Sequence, residues 1–400
     1  MYKKIKYLIL ILTIQQSVLA LKENNITVFG IGKLGLCTAL CLEKAGYNVL
    51  GVDIMQHYID KINSKNLISP EPYVTEYLKK SNHFTATTSL EKGIEFSDVY
   101  FINVATPSTP HPEAYDHSML SKLLFDINSK KVENKTIVIC CTVFPGYIRS
   151  IGNHLLLDCK NTSLSYNPEF IAQGNIIKEF ENPDMVLIGQ GSHQAGNILE
   201  TIYRKVCKNN PTICRMSPES AEITKLAINC YITTKIAFAN MIGDVAQLAP
   251  GANEIDILNA IGSDSRIGNK NLKYGFGFGG ACFPRDNRAL GNYLKLMGVK
   301  ALIPQSTDES NKLHKTFMVE QLLAENRDEY IFEDVNYKDN CNVIILEESQ
   351  KLAVAQEIAK RKHKVIIYDS QEVISELRQK FGNLFKYRIK NMPQAQGAKI

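Results

Sequence analysis

Gly275-Phe-Gly-Phe-Gly-Gly-Ala-Cys-Phe-Pro-Arg-Asp286 sets one cysteine, Cys282, behind a glycine-dense run, with Arg285 and Asp286 close after it. Glycines permit positive φ and close backbone approach to a ligand, so such a run can present a thiol rather than bury it. Arg285 would favour the thiolate, the nucleophilic form. The plain alternative is a cysteine packed as a small hydrophobe beside an incidental charge pair. A second constellation is Lys225, Asn229 and Thr233, spaced i, i+4, i+8 and so aligned on one helical ridge. A lysine and an asparagine facing a thiol loop would make an oxyanion site, whereas a solvated ridge is the usual reading of such residues.

These groups need a frame. Ser217-Pro218-Glu219 is a helix start, with Ser as N-cap, Pro at the first helical position and an acid in the first turn. The pattern runs to Ala249 before Pro250-Gly251. At about 1.5 Å per residue this is a rod of roughly 48 Å, long enough to cross a domain or form a dimer face. Nearer the amino terminus, the strand-like Ile26-Thr-Val-Phe29 leads into Gly30-Ile31-Gly32-Lys33-Leu34-Gly35, a helical pattern from Leu36 to Ala45, and a second strand, Asn48–Val52, ending on Asp53. Gly30 suits the tight turn, Gly32 the approach of backbone N–H groups to a pyrophosphate, and Gly35 close helix–strand packing. The helix N-terminus adds partial positive charge. Asp53 can accept both ribose hydroxyls and would repel a 2′-phosphate, so NAD is expected over NADP, with Ile31 and Leu34 completing the contact.

Further strands are expected at Val99–Val104, Thr136–Cys141 and Asp184–Ile188, in a parallel sheet whose carboxyl edge carries the ligand loops. Those loops hold Thr106, Thr142 and Asn167-Pro168-Glu169-Phe170. The two threonines could simply end strands, and Glu169 could be a helix N-terminal carboxylate. Near the carboxyl end, Cys341–Leu346, a helix over 349–361 and Lys364–Asp369 read as β-α-β.

Four hundred residues with 44% hydrophobic content suit two or three domains. The divisions fall at 1–24 (an extension), 25–212 (NAD binding), 213–300 (the central helical domain with the cysteine loop) and 301–400 (a shortened α/β domain). A net charge of +5, with no basic stripe interleaved with aromatics, argues against nucleic acid as a partner. Ten cysteines without CxxC pairs, and eight histidines without a ligand pattern, point to reduced thiols and no metal. Lys3, Lys4 and Lys6 before the apolar run Tyr7–Ile14, then Ser17–Ala20, have the shape of a secretory signal too short to span a bilayer. The competing reading is an extension ahead of a cytoplasmic enzyme, which is favoured because an NAD-consuming enzyme needs NAD.

From about Ile26 to Leu290 the chain resembles the UDP-glucose 6-dehydrogenase group of the UDP-glucose/GDP-mannose dehydrogenases. The resemblance lies in Gly30–Gly35, Ser69-Pro-Glu-Pro72, Asn167–Phe170, Asn182–Gly189, Glu222–Asn229, Arg266–Asn269 and Gly277–Asp286. It implies a Rossmann-like NAD domain, a central long-helix domain and a reduced carboxyl-terminal Rossmann-like domain. It also implies a four-electron oxidation of UDP-glucose to UDP-glucuronate, of use in polysaccharide synthesis. Cys282 would capture the C6 aldehyde as a thiohemiacetal, which a second oxidation makes a thioester that water cleaves. By the same resemblance Lys225 and Asn229 would stabilise the oxyanion, Asp286 and Thr142 would hold the water and lysine, and Glu169 would be the general base. Thr106, Thr142 and Arg285 would join the NAD contacts. Phe170, Lys225, Asn229, Phe278 and Gly279 would meet the sugar nucleotide, with Arg266 reaching it across the interface of a homodimer or higher homo-oligomer.

The chain departs from the family's pattern at three places. Gln173 stands where a second glutamate is usual, and Arg285 replaces a lysine. The glycine-phenylalanine-lysine…threonine-aspartate-arginine loop reads as deleted between Leu346 and Glu347. GDP-mannose as substrate, or an NAD-binding homologue that no longer turns over, are therefore the competing readings.

Overall fold

The structure is a computed structural model that describes residues 24–109, 115–338 and 343–390. The signal-like segment up to residue 23 and the pair Cys341–Asn342 lie outside the described residues. The chain divides into two units, 1–225 and 226–400, the division falling inside the long helix Pro218–Leu248. The helix start read from the sequence is present: the Ser217 hydroxyl accepts the Ser220 N–H at 3.2 Å.

In the first unit, short β-branched and aromatic runs form an eight-stranded sheet. Its strands are β1 (Asn25–Phe29), β2 (Asn48–Val52), β3 (Phe84–Thr87), β4 (Val99–Ile102), β5 (Thr136–Ile139), β6 (Ser163–Tyr166), β7 (Met185–Gly189) and β8 (Thr212–Met216). Their order is β3-β2-β1-β4-β5-β6-β7-β8. Alternation along β4 divides the interior between the two faces. Val99 and Phe101 join one apolar cluster, and Tyr100 and Ile102 the other. Strand order reverses between β1 and β4, which opens a crevice at their carboxyl ends. The wholly parallel sheet expected from the sequence is corrected at one junction: β7 runs antiparallel to β6, with Tyr166 opposite Gly189, while β8 is parallel to β7. The Asn167–Phe170 loop therefore leaves β6, a strand whose Ser-Leu-Ser-Tyr composition gave little apolar signal.

Ser69-Pro-Glu-Pro72 has a structural task in this unit. The buried Glu71 carboxylate accepts the N–H groups of Gly174 (2.8 Å) and Ile176 (2.7 Å), fastening the chain that follows Glu169.

In the second unit, the rest of the long helix is followed by helices Glu254–Ser263, Phe283–Leu296 and Leu302–Ala324. A three-stranded parallel sheet comes next, ordered β11-β10-β9, from β9 (Tyr330–Glu333), β10 (Val365–Asp369) and β11 (Lys386–Ile389), with helices Gln350–Lys360 and Gln371–Phe381. One expectation is corrected here. The strand lies at Tyr330–Glu333, with alternating burial, and not at 343–346, the described part of the run. In the latter segment Val343 and Leu346 are buried but lie in a loop. An apolar run records burial, and pairing is a separate property. The described parts of the connection between β9 and the next helix, 334–338 and 343–349, are loop. It folds back on itself, the Tyr337 N–H donating to the Ile345 carbonyl at 3.0 Å.

Glu71→Ala would leave two buried N–H groups without acceptors. The expected loss of stability is about 2–4 kcal/mol, read from the denaturant midpoint; an unchanged midpoint would show that Glu71 fastens nothing.

Candidate functional site

The glycine loop between β1 and its helix (Lys33–Lys44) is shaped by close approaches. A Cβ on Gly35 would run into the Gly30 carbonyl oxygen, and Gly30 itself sits at φ +79°. Nothing lies within 4 Å of where a Cβ on Gly32 would stand, which leaves that face open for a pyrophosphate. Asp53, at the end of β2, accepts the Ile31 N–H through Oδ2 at 3.2 Å and the Met55 N–H through Oδ1 at 3.3 Å, so its carboxylate borders the same loop. Ile31 is fully buried and Leu34 packs on the adjoining apolar cluster; both support the loop from within. Thr106, beyond β4, is buried, and Thr142, beyond β5, is partly exposed. The shape and charge of this cradle fit NAD.

A second group in the first unit centres on Glu169. Its carboxyl is buried, not at a helix N-terminus, and its pKa is pushed up from 4.5 to about 8 by burial, against smaller opposing effects of a Thr38 hydrogen bond and the Lys225 charge. Thr38 donates to Oε1 at 3.3 Å, while Oε2 is buried with no hydrogen-bond partner among the described residues. That combination suits a group that takes and returns a proton near neutral pH. The Lys225 ammonium donates to the Glu169 backbone carbonyl at 2.8 Å and lies 4.6 Å from the centre of the Phe170 ring.

In the second unit, Cys282 is exposed at the start of helix Phe283–Leu296. The Asp286 N–H donates to the Cys282 carbonyl at 2.8 Å. The Asp286 side chain is fully buried and accepts Asn229 Nδ2 at 2.7 Å and Arg285 Nε at 3.2 Å. Lys225, Asn229 and Thr233 are all buried, so the solvated-ridge reading is excluded. The preceding loop is held at several points. Asn240 Oδ1 accepts the Gly275 N–H at 3.1 Å, His314 Nε2 donates to the Gly275 carbonyl at 2.7 Å, and the Asn311 amide pairs with both the N–H and the C=O of Phe278 at 3.0 Å. Gly280 has φ +82°, and a side chain there would strike the Tyr337 ring. Its N–H donates to the Glu347 carbonyl at 3.0 Å, and Gly279 lies against the Glu348 carbonyl, so Tyr337, Glu347 and Glu348 rest on the cysteine loop.

Cys282, Arg285, Asp286 and Asn229 therefore meet in one unit, and Glu169, Phe170 and Lys225 in the other. Phe278 is buried, and its backbone is held by Asn311. Arg266 stands apart, exposed and paired with Asp264. Sequence reasoning missed Thr38, whose signal was its place in the helix after the glycine loop. It also missed the loop anchors Asn240, Asn311 and His314, which no local pattern marks.

Residues 24–207 match the family model described as the UDP-glucose/GDP-mannose dehydrogenase family, NAD binding domain, and residues 219–313 match that family's central domain. GDP-mannose 6-dehydrogenase of Pseudomonas aeruginosa is 33% identical over 280 residues, covering 66% of this chain and 63% of that protein, which is under two thirds of its length. UDP-glucose 6-dehydrogenase of Rickettsia typhi is 33% identical over 304 residues, covering 74% of this chain and 69% of the relative. The solved UDP-glucose dehydrogenase of Pyrobaculum islandicum superposes with a TM-score of 0.81 at 25% identity, over 91% of this chain and 85% of that one.

Asp53→Ala is expected to raise the Kd for NAD by tenfold or more with little change in sugar-nucleotide binding, in a fluorescence titration; unchanged NAD affinity would remove the ribose role. For Glu169, the native carboxyl keeps its proton to about pH 8 while the unfolded one releases it near 4.5, so its effect on stability becomes unfavourable as pH rises through that window. Glu169→Gln should thus raise the Tm at pH 9 and leave it nearly unchanged at pH 4; the same Tm shift at both would contradict the assignment.

Proposed function

Since this chain belongs to the UDP-glucose/GDP-mannose dehydrogenase family, we propose that it oxidises a nucleotide sugar, UDP-glucose before others, to the uronate in two steps through an adduct on Cys282. The carrying observation is the exposed Cys282 one helical turn before a buried Asp286 that is fixed by Asn229 and Arg285.

NAD would be held by the Gly30–Gly35 loop and Asp53, and when bound it supplies the hydride acceptor. Cys282 adds through sulfur to the C6 aldehyde, making a thiohemiacetal that keeps the carbon in place for the second oxidation. Lys225 and Asn229 offer N–H donors to the oxygen that gathers negative charge. The unpartnered Oε2 of Glu169 can take a proton from the water that cleaves the thioester, freeing the acid and returning the thiol. Thr142 and Asp286 would help to place that water and Lys225.

GDP-mannose is the second reading, favoured by the similarity to the Pseudomonas aeruginosa enzyme. A homodimer is supported by Tyr231, Phe238, Met241, Val245 and Leu248, exposed apolar residues spaced along one face of the long helix. Arg266, exposed in its own loop and paired with Asp264, would serve a neighbouring subunit.

Cys282→Ser is expected to abolish uronate formation while NAD still binds, and the unaltered chain should yield two NADH per UDP-glucose at 340 nm. One NADH per sugar, or full turnover by the serine variant, would contradict the covalent route. A higher kcat/KM with GDP-mannose would reassign the substrate.

A further inference from the structure

Glu222 is fully buried on the long helix, one turn before Lys225, and the chemistry above leaves it without a role. Its two carboxylate oxygens are both engaged by the loop leaving β5: Oε2 accepts the Gly146 N–H at 2.6 Å and Oε1 the Ile148 N–H at 2.9 Å. That loop begins at Thr142. Its other side is held by His117, whose Nε2 accepts the Phe144 N–H at 3.2 Å and whose ring stacks 4.6 Å from that of Tyr147. One turn along the helix, Lys225 holds the Glu169 carbonyl, which belongs to the loop leaving β6. Adjacent turns of one helix thus grip two neighbouring ligand loops of the sheet, one through an anion and one through a cation.

We propose that Glu222 is a positioning residue, whose carboxylate locks the Thr142 loop to the helix turn carrying Lys225 and so fixes where Thr142 stands. Its importance for turnover rests on the oxidation proposed above; the lock itself does not. An ionised carboxylate can accept from two backbone donors at once. A protonated one must turn an O–H toward one of them and lose that contact. Burial is the main cause that lifts the Glu222 carboxyl to about pH 7, the two backbone N–H groups oppose it, and Glu219 on the same helix adds a smaller push upward. His117 and Tyr147 are the titratable groups on the loop side. Because the locked carboxyl keeps its proton to about pH 7 while a released one gives it up near 4.5, the clamp loosens as pH rises through that window.

Hydrogen–deuterium exchange on the full chain, with Glu222→Gln beside the unaltered protein, tests the lock directly. The amides of Gly146 and Ile148 should exchange about tenfold faster or more in the variant, while those of β1 and β4 stay as they were. With UDP-glucose, kcat should fall about ten- to a hundredfold and KM change little. Equal exchange at the two amides would overturn the lock. Faster exchange with unaltered kcat would overturn the positioning role. If the variant loosens throughout, the unaltered protein decides. Protection of the two amides, corrected for intrinsic rates, should be lower at pH 8 than at pH 6, and pH-independent protection would overturn the proposal. Wild-type protein inactive on every sugar nucleotide, yet showing the exchange pattern, would count against the proposed function alone.

Discussion

One face of a long helix carries Glu222, Lys225, Asn229 and Thr233 into the interior, and a polar group taken from water must find a partner or destabilise the fold. Their partners are specific. Glu222 takes two backbone N–H groups, Lys225 gives to the Glu169 carbonyl, Asn229 gives to Asp286, and Thr233 gives to its own helix at Cys230. Each such contact fixes a loop or side chain of the candidate site. A slip of one residue would turn Glu222, Lys225 and Asn229 away from their partners.

Burial also sets the electrostatics. Glu169 and Glu222 both titrate well above an ordinary carboxylate because solvent is withheld from them, but their surroundings differ. Glu222 is satisfied on both oxygens, which makes it a fixture. Glu169 keeps one oxygen without a partner, which leaves it able to accept a proton. Two carboxyls of similar titration range thus suit different tasks, decided by hydrogen bonding more than by pKa.

Much of the NAD fold was legible in the residues because its signals are local. The Gly30–Gly35 turn, the helix after it and Asp53 stand within a short stretch, and each residue type answers a nearby steric or charge requirement. The long helix announced itself through Ser217 and Pro218. The reversal at β7 was not legible, since strand direction depends on the connection and the partner, neither of which a five-residue run encodes. The apolar run at 341–346 misled for a related reason: of its described residues, Val343 and Leu346 are buried without pairing in the sheet, while Tyr330–Glu333, half exposed, forms the strand. Lys225, Asn229 and Asp286 could be singled out by type and spacing, but Glu71, Glu222 and Asn311 grip backbone far away in sequence, so only the assembled fold reveals them.

The account stands or falls on the sulfur of Cys282 carrying the sugar. The most direct measurement is acid quenching during turnover with NAD and UDP-glucose, followed by peptide mass mapping. The expected result is a nucleotide-uronyl thioester on the peptide containing Cys282, appearing before free uronate and decaying with it. Uronate produced with no adduct on that peptide, or with the adduct on another cysteine, would contradict the account.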